Sequence, residues 1–144
     1  MQRNITQAGR FDKSLSSVVI REGLEDLTPA RIATLYRRAP LQRPVEDHQK
    51  LWKMFESSSL VVTAWMQGRL VGLVRVLSDG VLNCYICDFA VEPEVQGLGV
   101  GTKLLEFVHG RNKGQHIYLY DAKVTSRFYA KMGFNHLKEG LWML

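Results

Sequence analysis

Apolar and polar positions alternate with changing period along this chain, and the changes divide it into elements. Residues 1 to about 15 are polar and without pattern, so they are expected to fray. Residues 17–21 (SVVIR) are apolar enough for a first strand. Thr28-Pro29 then opens a helix, with threonine as N-cap and proline at the first helical position, and Ile32, Leu35 and Tyr36 give the i, i+3, i+4 face. The stretch Ala39-Pro40-Leu41-Gln42-Arg43-Pro44 breaks that helix. A second helix is expected from Val45 or Asp47 to about Glu56, with Leu51, Met54 and Phe55 inward. Residues 60–66 and 70–77 flank Gln67-Gly68-Arg69 as the arms of a hairpin.

The second half reads in the same way. Residues 85–91 form a strand closed by Pro93, and a glycine-rich loop leads into a helix from about Gly99 to His109. Val100, Leu104 and Val108 recur at four-residue steps and make its buried face. A short strand is expected at residues 116–120 and a last helix at residues 125–132, capped by Gly133. Phe134 and residues 141–144 supply apolar material for a terminal strand. The order is β-α-α-β-β-β-α-β-α-β, one mixed α/β domain over residues 1–144 with no repeat, linker or low-complexity tract.

Composition changes this picture little. The chain has 144 residues, 46% hydrophobic and 23% charged, which suits a soluble globular domain with one core. Its apolar runs are too short to span a bilayer, and MQRNITQAGRFDKS has no apolar signal-peptide core, so no membrane role and a cytoplasmic location are expected. The net charge of +5 favours anionic partners. The Lys and Arg residues are scattered, however, with no basic stripe of the kind nucleic acid requires, and a nucleotide cofactor is the sharper reading.

Cys84 and Cys87 form a single C-x-x-C. No second Cys or His pair completes a zinc set, and the flanks are strand-like rather than helical, against a redox motif. Their odd spacing sends the two thiols to opposite faces of a strand, as core or near-core residues. No metal is expected.

The densest chemistry lies in VEPEVQGLGVGTKLL, where Gly97, Gly99 and Gly101 precede a helix. A helix N-terminus presents unpaired amides and partial positive charge, and glycines let a ligand approach the backbone. A P-loop requires Gly-Lys-Ser/Thr, whereas Gly101-Thr102-Lys103 has the order reversed. A dinucleotide fingerprint beginning at Gly97 requires Gly or Ala at position 102, and here stands Thr. A bare βα turn is the remaining structural alternative.

Gln96-Gly97-Leu98-Gly99-Val100-Gly101 does match Q/R-x-x-G-x-G/A, and with it the sequence resembles the GNAT superfamily of acyl-CoA-dependent N-acyltransferases, in particular small bacterial members likened to arylalkylamine acetyltransferases. Residues 86–91 followed by Glu92-Pro93 resemble the family's D-x-x-V-x-P approach, and Phe128-Tyr129-Ala130-Lys131-Met132-Gly133-Phe134 its F-Y-x-x-x-G-F signature. The resemblance covers about residues 17 to 144. It implies a GNAT fold, a mixed and mostly antiparallel sheet flanked by helices.

It also implies a division of labour. The amides of Gln96, Gly97, Leu98, Gly99, Val100, Gly101 and Thr102 would receive the pyrophosphate of acetyl-CoA. The strand residues Phe89, Ala90 and Val91, with Phe128 nearby, would line the pantetheine arm. The thioester would enter a gap between the strands at residues 85–91 and 116–120. Tyr129 would act as general acid toward the coenzyme A thiolate, as a phenol protonated at neutral pH can. Where many relatives carry an Asn shortly before this tyrosine, this chain has Thr125. Asp88, Tyr85 and Glu22 are candidate bases, with solvent as the alternative; a purely structural role for Asp88 is the competing reading.

The implied reaction is acetyl transfer from acetyl-CoA to a primary amine by direct attack in a ternary complex. Acceptor choice would rest on residues 36–55, where Arg37, Arg38, Arg43, His48 and Trp52 stand out. Acetylation of protein lysines or N-termini, and acyl-CoA sensing without turnover, are the alternatives. Dimers are frequent in the superfamily, so a homodimer is left open.

Overall fold

The computed structural model describes residues 17–121, 126–138, 140 and 142–144. Its elements follow the order β1 (Val19–Glu22), α1 (Pro29–Arg38), α2 (His48–Glu56), β2 (Leu60–Met66), β3 (Arg69–Ser78), β4 (Asn83–Val91), a 3₁₀ turn (Pro93–Val95), α3 (Val100–Arg111), β5 (His116–Leu119) and α4 (Ser126–Lys131). Capping sets the starts of the first two helices. The Thr28 side chain accepts from the Arg31 amide at 3.2 Å, and that of Asp47 from the Lys50 amide at 3.0 Å. Between β2 and β3, Gln67 and Gly68 both take positive φ, as a two-residue hairpin turn requires.

The sheet order is β1-β2-β3-β4-β5, antiparallel except for the parallel β4–β5 pair. Alternation along β2 gives the sheet its two buried faces. Val62, Ala64 and Met66 join Val100, Leu104, Leu105 and Val108 of α3 in one cluster. Val61 and Trp65 join Ile32, Leu35 and Tyr36 of α1 and Leu51 and Phe55 of α2 in the other. The sheet is therefore the middle of three layers. Among the described residues no helix is long and apolar enough to cross a membrane.

Two irregularities in register shape the sheet. Ala64 pairs with Gly72 but Trp65 with Leu70, leaving Val71 as an extra residue in β3. Arg75 pairs with Asp88 but Val76 with Ile86, leaving Cys87 as an extra residue in β4. The second bulge reverses the alternation of β4. Cys84 and Ile86 face the α3 layer, whereas Ala90 faces α1 and α2. Cys84 is thus fully buried, while the half-buried Cys87 lies by Arg75, Asp88 and Arg43 on the other face. The two free thiols diverge, as their spacing predicts.

The expected terminal strand does not form among the described residues. Gly133, at φ +91°, ends α4 by turning the chain so that the Phe134 amide donates to Tyr129 O at 3.0 Å and the Gly133 amide to Ala130 O at 3.0 Å. This paired closure is a Schellman motif, whose apolar contact is here supplied by the Phe134 and Tyr129 rings at 5.8 Å. Phe134 is taken up as a helix stop, not as the start of a strand. Trp142, Met143 and Leu144 are exposed. Thr125, expected at the start of the last helix, lies outside the described residues, as do residues 1–16.

Gly72 marks where α3 lies closest to the sheet. A Cβ there would stand 3.0 Å from Leu104 Cδ1, 3.2 Å from Val100 Cγ1 and 3.3 Å from the Ala90 carbonyl oxygen. Gly72→Val should therefore overpack this layer and destabilise the protein by about 1–3 kcal/mol, read as a lower urea midpoint with an unchanged slope.

Candidate active site

The loop after β4 is held at its entrance by charge. Glu92 is buried, and its carboxylate meets Arg38 Nε at 2.8 Å and Arg69 Nη2 at 3.4 Å. The Glu92 amide also bonds to Val71 O at 2.7 Å, so β3 fixes the point where β4 ends. Beyond it the Gln96 amide donates to Pro93 O and the Leu98 amide to Val95 O. The amides of Gly97, Gly99, Val100, Gly101 and Thr102 have no protein partner among the described residues; the first helical bond is Lys103 N to Gly99 O. Five of the seven amides predicted to meet the pyrophosphate are thus available, at the N-terminus of a helix of 12 residues.

The three glycines serve different ends. Gly97 and Gly99 both have φ +84°, a conformation that L side chains rarely adopt, and a Cβ at either would meet nothing within 4 Å. Gly101 has no such backbone constraint. A Cβ there would stand 3.1 Å from both the Phe89 and the Phe128 ring edges. Its glycine seats α3 on these rings; Val100, which is buried, offers the loop only its amide.

The gap expected between β4 and β5 is present. The two strands pair from Asn83↔His116 to Ile86↔Leu119 and no further. From Cys87 to Val91, β4 has β3 on one side and, among the described residues, no strand on the other. Because the Glu92 and Val71 main chains bond to each other, antiparallel alternation points the main-chain groups of Phe89 and Val91 away from β3, into that gap. The Gln96 side-chain amide already caps Val91 O at 3.3 Å. Ala90, between them, is buried and faces α1.

Aromatic rings close the far side. Phe89 stacks on Phe128 at 5.8 Å and 8°. Tyr129 lies 6.1 Å from Phe89 and 5.3 Å from Phe128 between ring centroids. The Tyr129 hydroxyl has no hydrogen-bond partner among the described residues. Burial, and then the charge of Asp121, push its pKa up to about 12, so the phenol is protonated throughout the neutral range.

Asp88 is buried with its carboxylate fully engaged. Oδ1 accepts from Arg43 Nε at 2.6 Å, and Oδ2 from Arg75 Nε at 2.7 Å and the Tyr36 hydroxyl at 2.8 Å. Three donors and no exposed edge leave this side chain little capacity to take a proton from a substrate amine. Burial, reinforced by the Asp88 charge, holds the Tyr36 phenol pKa well above its ordinary value. Arg75 also lies 5.9 Å over the Phe55 ring. Glu22 is on β1, three strands from β4 (roughly 14 Å at the spacing of paired strands), and pairs there with Arg111 at 2.6 Å. Tyr85 pairs across the sheet with Tyr118, and both are partly exposed beside the gap.

The sequence does not assemble the cluster around Asp88, although two of its members stand out in it. Arg75 interrupts the apolar run LVGLVRVLS and Asp88 the run CYICDFAV; opposite charges in two strands buried on both faces imply a pair. Among the residues of the α1–α2 region, Arg37 pairs with Glu46 on the surface at 2.8 Å, and Trp52 packs partly buried against the α1–α2 cluster.

Removing the carboxylate would leave two arginines facing each other without compensation. Asp88→Ala should lower stability by about 3–5 kcal/mol, the cost of breaking a buried pair. Chemical denaturation measures this directly, and a loss under about 1 kcal/mol would mean that water already screens the cluster.

Comparison with known proteins agrees with this geometry. The family model of the acetyltransferase (GNAT) domain matches residues 24–141. A protein of Oryza sativa subsp. japonica named serotonin N-acetyltransferase 2, chloroplastic, is 35% identical over 97 residues, 65% of this chain and 46% of that protein. A Glycine max protein named histone acetyltransferase is 35% identical over 79 residues, 52% of this chain and 34% of its own length. The chain thus spans less than half the length of these curated relatives. Among solved structures, a GNAT family acetyltransferase of Streptococcus pneumoniae superposes with a TM-score of 0.74 at 21% identity, covering 89% of this chain and 98% of that one. An aminoglycoside N-acetyltransferase in complex with CoA superposes at 0.68 with 15% identity, covering 90% and 95%. The matched domain, the open amides before α3 and the parted strands together show that this chain belongs to the GNAT acetyltransferase family.

Proposed function

We propose that the protein transfers an acetyl group from acetyl-CoA to a small primary amine, by direct attack in a ternary complex. The observation that carries this reading is a run of neighbouring groups: five unpartnered amides at the start of α3, the outward main chain of Phe89 and Val91, of which only Val91 O is capped, by the Gln96 side chain, and the Tyr129 phenol against Phe89. These residues fit the coenzyme, and the one protein group that stands where it would pair is the Gln96 side-chain amide on Val91 O. Acetyl-CoA supplies an activated thioester; everything else falls to the chain.

In this reading the amides of Gly97, Gly99, Val100, Gly101 and Thr102 bind the pyrophosphate, helped by the dipole of α3. Phe89 and Val91 pair with the pantetheine amides as a strand edge pairs with an added strand. Tyr129 gives its proton to the departing thiolate sulfur, and its environment keeps that proton in place until then. Asp88 is a scaffold residue, because three donors occupy its carboxylate, and the proton of the attacking amine passes to solvent at the gap.

The name of the rice relative supports an arylalkylamine as acceptor, and the partly exposed Tyr85 and Tyr118 beside the gap suit an aromatic amine. The name of the soybean relative is the argument for a lysine side chain instead. A thiol-release assay run with arylalkylamines, polyamines, aminoglycosides and lysine peptides separates them. A wild type that binds acetyl-CoA tightly yet acetylates none of these would instead be an acyl-CoA sensor.

Two substitutions test the parts. Gly99→Val places a β-branched side chain at positive φ, so the free loop should relax out of the conformation that presents its amides, and the acetyl-CoA Kd should rise about tenfold or more in calorimetry, because regaining that conformation costs about 1–3 kcal/mol. An unchanged Kd would remove this loop as the binding site. Tyr129→Phe keeps the ring packing and loses only the oxygen. It should lower kcat and kcat/KM together by about 10²–10⁴-fold, with the acetyl-CoA Kd little altered. Near-full turnover under conditions where chemistry limits the rate would make the tyrosine purely structural.

A further inference from the structure

We infer that Arg43, in the loop between α1 and α2, is a positioning residue for acetyl transfer: it clamps the β4 bulge and so fixes the loop on the acceptor side to the gap between β4 and β5. The inference rests on the proposed use of that gap for the thioester. Its basis is a coincidence of three features on consecutive residues. The β4–β5 ladder ends at Ile86, the extra residue in register with β3 is Cys87, and the buried carboxylate is on Asp88.

Arg43 binds two of these three residues at once. Its Nε donates to Asp88 Oδ1 at 2.6 Å and its Nη2 to the carbonyl oxygen of Cys87 at 3.0 Å. Its Nη1 donates to Gln42 O at 2.8 Å, tying the fork back to its own loop. A bulged residue stands outside the ladder register, and here a side chain from another element satisfies its carbonyl. The planar guanidinium serves two acceptors of β4 and one of the loop in a fixed geometry, which an ammonium group cannot reproduce.

Charge compensation is not what Arg43 uniquely provides. Without it, Asp88 still accepts from Arg75 and from Tyr36, so the buried carboxylate keeps a cationic partner. What would be lost is the tie between Cys87 O and the loop that carries Gln42. The bulge would then be free to relax toward regular pairing, narrowing the gap on one side and loosening the acceptor loop on the other. The amides before α3 lie beyond Val91 and are untouched by this change.

The test compares Arg43→Gln and Arg43→Lys with the wild type, using the amine that the acceptor panel identifies. For Arg43→Gln, kcat/KM for the amine should fall by about 10–10²-fold, the scale of a misplacement near 1 Å. Its acetyl-CoA Kd should stay within about twofold, as it would for a loop whose amides are unaffected. Arg43→Lys should fall between the two. Cys87 gives a readout that does not depend on turnover, because Cys84 is fully buried and Cys87 only partly so. In Arg43→Gln the rate of Cys87 modification by a disulfide reagent should rise several-fold. Wild-type kcat/KM together with a wild-type modification rate would overturn the inference. So would a loss of acetyl-CoA affinity parallel to the loss of Tm, which marks a merely structural residue. If the wild type acetylates no amine, the transfer reading itself fails, and the thiol rate alone decides whether Arg43 holds the bulge.

Discussion

The bulge at Cys87 governs the geometry of the cleft. One extra residue in β4 reverses which face its side chains meet, so that Ile86 belongs to the layer under α3 while Asp88 and Ala90 belong to the layer under α1 and α2. The same residue marks the end of pairing with β5. Past it, the outer main-chain groups of Phe89 face no strand among the described residues and Val91 O meets only the Gln96 side-chain amide, which is the edge that the proposed coenzyme site uses.

Around this point the packing is unusually specific for a glycine-rich region. Gly97 and Gly99 are required by backbone conformation, whereas Gly72 and Gly101 are required by the proximity of side chains to a missing Cβ. The first pair exposes amides; the second draws α3 down onto β3 and onto the rings of Phe89 and Phe128. The motif F-Y-x-x-x-G-F acquires a mechanical meaning in the same way. Tyr129 and Phe134 are the residues that a Schellman closure brings into contact, and Gly133 supplies the left-handed turn between them. The ring of the proposed acid is therefore held by the stop signal of its own helix.

Beneath the bulge, one buried carboxylate organises two arginines and a tyrosine from α1, from β3 and from the loop between α1 and α2. Such a cluster contributes little net stability over apolar packing of the same volume, since desolvation offsets most of the Coulombic gain. Its bonds tie the α1–α2 layer to the sheet at two points, Tyr36 of α1 and Arg43 of the following loop, while Arg75 joins β3 to β4.

The sequence by itself determined the element order from β1 to α4, the faces of α1, α2 and α3, the divergence of Cys84 and Cys87, and the loop at residues 96–102, because these are set within a few residues of one another by period, caps and glycine. It also marked Tyr129, through a local motif. Tertiary structure alone decided that Phe134 ends a helix rather than beginning a strand, that Glu22 stands three strands from the gap, and that Asp88 is occupied. It alone placed Arg43 on Cys87, across 44 residues of chain. Such pairings depend on register, and register follows from two bulges whose extra residues carry no local signal. A one-residue shift in either strand would exchange the faces of every side chain beyond it, so only the folded sheet decides which charges meet.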